Sequence, residues 1–262
     1  MLWTMIRKLA YAGIPIVILL SGLGIKSCVA HTISVKDSPH DPTKLKVELV
    51  THMAPSQKGG VAVVLLHGWG ASGDDLVPLA HMLLTPNMRI FVPEAPLPHP
   101  AGGRAWWPLD LNTLPHANGK ETQLPMKIPN ELALARIAVQ RLLKEIKADY
   151  MPTSLTLAGF SQGGMLTADV ALLNDPPVDR AAVFSGSLLP HSVASLRAYR
   201  DHTLDVFVSH GSSDRIVPFI YGRDLKDALQ HQRLHVQWHP FPGDHEIPTS
   251  VIQALKIFLQ GK

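Results

Sequence analysis

The 262-residue chain carries one serine whose neighbours suit it to attack a carbonyl carbon. Gly159-Phe160-Ser161-Gln162-Gly163 is a G-x-S-x-G motif, and Gly164 follows it. An apolar run precedes the motif and a helix-compatible run comes after, so Ser161 is predicted at a sharp strand-to-helix turn with its hydroxyl above the sheet edge. Side chains at positions 159 and 163 would collide in such a turn, which calls for glycine at both. A serine hydroxyl is a weak nucleophile near neutral pH, so a base must take its proton and an acid must orient that base. For a strand–turn–helix serine the acid and then the histidine follow in chain order. Asp214 in His210-Gly211-Ser212-Ser213-Asp214 and His245 in Pro242-Gly243-Asp244-His245-Glu246 meet that requirement, each directly after a strand pattern. Among 14 histidines, only His245 combines a late loop, flanking glycine and proline, and a following helix. Asp244 is the competing acid, but its side chain emerges beside His245 and reaches across the ring with difficulty. A solvated turn residue is its plainer reading.

Acyl transfer also builds negative charge on the carbonyl oxygen, which preorganised N–H donors must meet. The main-chain N–H of Gln162, next to the serine, is one expected donor. The other is the main-chain N–H of Trp69, in the glycine-rich loop His67-Gly68-Trp69-Gly70 after an early buried strand. Trp106 and Trp107 allow two readings, an acyl-groove lining or an apolar plug that fixes their loop. No clustered Asp/His motif or phosphate-binding glycine loop stands out, so neither a metal nor a cofactor is expected.

These residues need a scaffold, and the hydropathy pattern supplies one. Strands are predicted at 44–51, 61–66, 89–92, 154–160, 181–184, 205–209 and 234–238. Helices are predicted at 74–84, from Pro129 onward, and at 162–173, 219–230 and 248–259. Alternating β and α elements imply one α/β domain with a mostly parallel sheet covered on both faces. Residues 93–129 hold many prolines, glycines and polar residues without a period, a length of loop that is usually functional or disordered.

Composition limits the rest. Hydrophobic residues make up 46% and charged residues 17%, which fits a packed globule and not a disordered chain. A single cysteine, Cys28, excludes an intramolecular disulfide framework. The net charge of +3 comes from the N-terminus: without Arg7, Lys8 and Lys26 the 24 basic residues fall to 21 and match the 21 acidic ones. The charge is therefore no sign of nucleic-acid binding. Residues 9–25 are free of charge and follow Arg7-Lys8, the pattern of a signal peptide or an N-terminal membrane anchor. A cut before His31 is one expectation and an uncleaved anchor the other, both placing the catalytic body outside the cytoplasm. Residues 1–30 are thus read as the targeting segment, 31–43 as a linker and 44–262 as the domain.

Leu66-His67-Gly68-Trp69-Gly70, Gly159-Phe160-Ser161-Gln162-Gly163-Gly164 and His210-Gly211-x-x-Asp214-x-x-Val217-Pro218 together resemble the phospholipase/carboxylesterase family of α/β-hydrolases, which includes acyl-protein thioesterases and bacterial carboxylesterases. Pro93-Glu94-Ala95-Pro96 and Ala105-Trp106-Trp107 look like the loop before the family's central helix. The resemblance implies an α/β-hydrolase fold and a Ser161–Asp214–His245 triad, with Trp69 and Gln162 amides as the oxyanion hole. It also implies a small-molecule acyl ester or thioester as substrate. The N-terminal apolar segment sets the chain apart from cytosolic members, and Trp69 stands where many carry a smaller apolar residue. A peptidase or amidase would use the same groups, and a membrane-tethered binding protein could keep the fold without turnover.

Overall fold

Val61–Leu66, which we label β3, places six apolar residues in succession because both faces of this strand are covered. Val64 and Leu66 join one apolar cluster, while Val63 and Leu65 join the cluster on the opposite face. The computed structural model describes residues 31–33, 41, 43–54, 56–109, 128–173, 178–199 and 203–261. β3 pairs in parallel with β4 (Met88–Pro93) on one side and β7 (Ser154–Phe160) on the other. Beyond β7 come β8 (Arg180–Phe184), β9 (Asp205–Gly211) and β10 (His235–Phe241), all parallel. Antiparallel β2 (Val47–Thr51) lies outside β4, and β1 (His31–Ile33) lies outside β2. The eight-stranded sheet has the order β1-β2-β4-β3-β7-β8-β9-β10. It is the mostly parallel α/β sheet that the residue pattern predicted and the α/β-hydrolase architecture that the resemblance implied.

Helices cover both faces. α2 (Asn130–Tyr150) buries Leu132, Ala135, Val139, Leu142, Leu143 and Ile146, the stripe predicted from its period, against the cluster that contains Val64. α3 (Gln162–Ala171) and α5 (Phe219–His231) pack on the same face. α1 (Val77–Leu83) and α6 (Thr249–Leu259) cover the other through Leu79, Leu83, Val251, Leu255 and Phe258. Chain connections run to opposite sides from β3 and β7, so the gap between these two strands is a topological switch point, where open α/β sheets place their sites.

Some elements were not predicted. The short α4 (Ser192–Ala198) shows too little periodicity to be read. β5 (Leu97–Pro98) and β6 (Arg104–Ala105) form a small hairpin inside the long proline-rich loop. β9 and β10 each extend beyond the predicted ends, because His210 and Gly211 pair with Pro240 and Phe241 across the strands. The stretch read as a linker begins with β1, and Asp41 is held by Arg141 of α2 at 2.9 Å. The predicted apolar segment 9–25 lies outside the described residues, among which no helix is long and apolar enough to cross a membrane.

Candidate active site

Ser161 caps β7 with φ 55° and ψ −117°, a strained conformation for a non-glycine residue that costs of order 1–3 kcal/mol. Tight packing around the turn enforces it. A Cβ on Gly163 would stand 2.6 Å from the His67 carbonyl oxygen, and one on Gly159 would stand 2.7 Å from Thr167 Oγ1. Neither site admits a side chain. Ser161 N donates to Phe184 O at 2.9 Å, which ties the turn to β8. The serine is largely buried but its hydroxyl has no hydrogen bond to a described residue.

Asp214 and His245 meet directly, with His245 Nδ1 donating to Asp214 Oδ2 at 2.7 Å. They come from the loops after β9 and β10, neighbouring strands of the sheet. Asp214 Oδ1 accepts the amides of Ile216 at 2.9 Å and Val217 at 2.8 Å, so the carboxylate cannot turn. Burial pushes the Asp214 carboxyl up, but hydrogen bonds from His210, His245 and the Val217 amide outweigh it and hold the group well below the usual carboxylate range. The His245 ring packs on Phe160, the residue before the serine, with centroids 4.6 Å apart. That contact brings the imidazole to the Ser161 turn.

On the other side, Gly68 lies against the serine, since a Cβ there would stand 3.3 Å from Ser161 Cβ. The next residue is Trp69. Neither the Trp69 amide nor the Gln162 amide has an acceptor among the described residues. Gln162 opens α3, where first-turn amides lack intrahelical partners and the helix dipole favours negative charge. Both amides thus belong to residues adjoining the Ser161 turn and have no acceptor among the described residues.

Comparison with known proteins decides the family. The profile of the phospholipase/carboxylesterase family matches residues 48–261, most of the chain. The chain belongs to the phospholipase/carboxylesterase family. With it comes the class of carboxylic ester hydrolase. This family member is 28% identical over 229 residues to acyl-protein thioesterase 1 of Mycosarcoma maydis, covering 81% of this chain and 95% of that protein. It is 24% identical to lysophospholipase-like protein 1 of Mus musculus, over 79% of this chain and 89% of that one. Among solved structures it is similar to esterase PE8, with a TM-score of 0.66 and 25% identity over 83% of this chain and 99% of that one. A phospholipase/carboxylesterase from Dyadobacter fermentans gives a TM-score of 0.63 at 25% identity, over 82% and 95%.

The structure of this phospholipase/carboxylesterase member also shows supports that the residue pattern did not disclose. Trp106 and Trp107 are 0% and 3% exposed, so the plug reading holds and the groove reading does not. Trp106 Nε1 donates to the His67 carbonyl at 2.9 Å. The Gln162 side chain accepts from Trp106 N at 2.9 Å and donates to Trp107 O at 2.7 Å. His67 Nε2 accepts the Ala95 amide at 3.0 Å, and burial pushes its pKa down, which keeps the ring neutral. One polar frame thus fixes both free amides. No sequence signal marks the Gln162 side chain for this task. Asp244 is no catalytic acid: it accepts from the Arg215 amide at 3.0 Å and guanidinium at 2.8 Å, and from the His245 amide at 3.0 Å. It pins one loop to the other at the surface.

Proposed function

We propose that the protein hydrolyses carboxylic esters or thioesters of small or medium acyl groups through an acyl-enzyme intermediate. Ser161 attacks the carbonyl carbon while His245 takes the hydroxyl proton through Nε2. Asp214 holds the imidazole by its Nδ1–H and stabilises the imidazolium that forms. The amides of Trp69 and Gln162 receive the oxyanion. His245 then protonates the leaving alcohol or thiol, and water repeats the sequence to release the acid.

The observation that carries this reading is the 2.7 Å Asp214–His245 hydrogen bond beside a serine held at positive φ. Two exposed apolar side chains support an acyl substrate: Trp69 at 42% and Ile216 at 49%, both on loops at the carboxyl ends of parallel strands. The test is Ser161→Ala with a chromogenic acyl ester. Loss of at least a thousandfold in kcat is expected, of the order set by removing a triad member, with an unchanged circular dichroism spectrum. Full turnover in that variant removes Ser161 from the mechanism. Paired ester and amide substrates separate the esterase from a peptidase or amidase, and an active-serine probe separates both from a binding protein.

We also place the catalytic body outside the cytoplasm, on the pattern of Arg7-Lys8 followed by the charge-free residues 9–25. A cut before His31 leaves β1 whole. N-terminal sequencing of the membrane and soluble fractions distinguishes a cleaved leader from a retained anchor.

A further inference from the structure

One buried histidine beside the acid is unused by the mechanism above. His210, near the end of β9, is 0% exposed. Its Nε2 donates to the Val217 carbonyl at 2.7 Å and lies 3.4 Å from Asp214 Oδ2. Val217 in turn gives its amide to Asp214 Oδ1. Imidazole, carbonyl, amide and carboxylate therefore close a ring around the acid. The donor role of Nε2 fixes the proton there, and Nδ1 is buried without a partner. A polar atom left unpaired in the core costs stability, so the ring is retained against a penalty.

The fold also makes room for this ring. Gly222 lies inside α5, where alanine is the better helix former by about 1 kcal/mol. A Cβ at Gly222 would stand 2.6 Å from His210 Cγ and 2.8 Å from His210 Cβ. The helix accepts a poor residue at the one point where it crosses the imidazole.

We infer that His210 is a positioning residue for the catalytic acid, locking the 214–217 turn through the Val217 carbonyl and setting its Nε2–H dipole 3.4 Å from Asp214 Oδ2. The inference rests on the Ser161–His245–Asp214 reading. Its consequence is electronic as well as steric. That N–H dipole beside Oδ2 lowers the charge available to His245, so removing it strengthens the hold of Asp214 on the imidazolium. His245 then takes up its proton at higher pH, and the acid limb of the rate profile moves upward. The other charged or titratable groups around the pair are Asp244 and Glu246 on the His245 loop and Arg215, which is paired with Asp244. Phe160, which faces the ring from β7, is uncharged. None of these changes in the variants below.

The experiment measures kcat and KM for a nitrophenyl acyl ester across pH in the full chain, for His210→Leu, His210→Gln and Gly222→Ala. Thermal unfolding and active-serine titration are recorded alongside, so that rates refer to folded, reactive enzyme. His210→Leu is expected to lower kcat about tenfold, because the freed 214–217 turn lets the acid shift from its place, with KM within about twofold and the acid limb at higher pH. His210→Gln, which keeps an N–H donor near the Nε2 position, recovers much of the rate and returns the limb toward that of the wild type. Gly222→Ala displaces the ring from a different element and moves the limb in the same direction as His210→Leu. It carries the test if His210→Leu does not fold. An acid limb that coincides with the wild type in the folded variants overturns the inference. Retained turnover in Ser161→Ala is a different outcome, and it removes the triad reading itself.

Discussion

The two walls of the site are built from different physics. The wall that carries the free amides has neutral groups next to the serine: Trp106 and Trp107 buried in the core, the Gln162 amide, and a His67 ring that burial keeps uncharged, with Arg104 fastening the loop farther out through the Ala95 and Pro96 carbonyls. The opposite wall is held by ionic groups, with Asp214 taking three donors and Asp244 clasping Arg215. The difference follows from when charge is present. On the first wall negative charge exists only during the reaction, so its donors must already be fixed and must not be satisfied by a resident anion. On the second wall a carboxylate is charged permanently, and an enclosed charge is stable only when hydrogen bonds replace its lost hydration.

The largest break in this comparison comes on the ionic wall. Asp214→Asn should lower kcat by about 10³–10⁴-fold, because an amide in place of the carboxylate favours the wrong imidazole tautomer. The same change at Asp244, whose ion pair is exposed, should leave kcat within a few-fold of wild type. Steady-state kinetics on the two variants side by side checks the division of labour, and equal losses would reverse it. Next in size is Gln162→Ala on the neutral wall. The main-chain donor remains, but Trp106 N and Trp107 O lose their buried partners, so the frame loosens. A fall in kcat of about 10–100-fold is expected from misplaced reacting groups, together with about 1–3 kcal/mol of stability per unsatisfied buried group. Chemical denaturation and turnover measured on one preparation test both parts.

The smallest effect is a difference in how the walls answer to acid. His67 is held below its unfolded value, so the unfolded chain binds more protons once pH drops below about 6.5. Stability from the neutral wall is therefore full above that pH and declines below it, and His239, also lowered by burial, adds a decline of the same sign. Asp214 is held below its own unfolded value, so its contribution is full above about pH 4 and is lost only as pH falls through the lower folded value. Unfolding free energies should thus begin to fall between about pH 7 and pH 5, before any carboxylate of the ionic wall titrates. His67→Phe should flatten that first decline while lowering stability throughout. An unchanged slope in the variant would show that the decline arises elsewhere.

Much of this was legible in the residues. β3, β7 and the stripe of α2 follow from local hydropathy, because a strand covered on both faces must be apolar throughout and a helix on a sheet must be apolar along one side. The Ser161 turn was legible because steric exclusion leaves glycine as the only residue at 159 and 163. Other features had no local signature. Whether Trp106 and Trp107 line a groove or plug a loop depends on what stands opposite them, and an indole is suited to both. Asp214 and Asp244 are the same residue type in loops of similar composition, and only their partners distinguish a buried acid from a surface clasp. His210 carries no local mark either, since its meaning lies in Val217 and Gly222, neither of which marks it by spacing.

By itself, then, the amino-acid order determined the alternation of strands and helices, the family, and the chain order of the three candidates for acyl transfer. These are matters of period, steric exclusion and residue chemistry, all carried by near neighbours along the chain. The tertiary structure alone decided which acid reaches the imidazole, which amides remain without acceptors, and which polar frame holds them. Those are properties of distance and burial between segments far apart in sequence, where the energy of a hydrogen bond depends on whether water has been removed from around it.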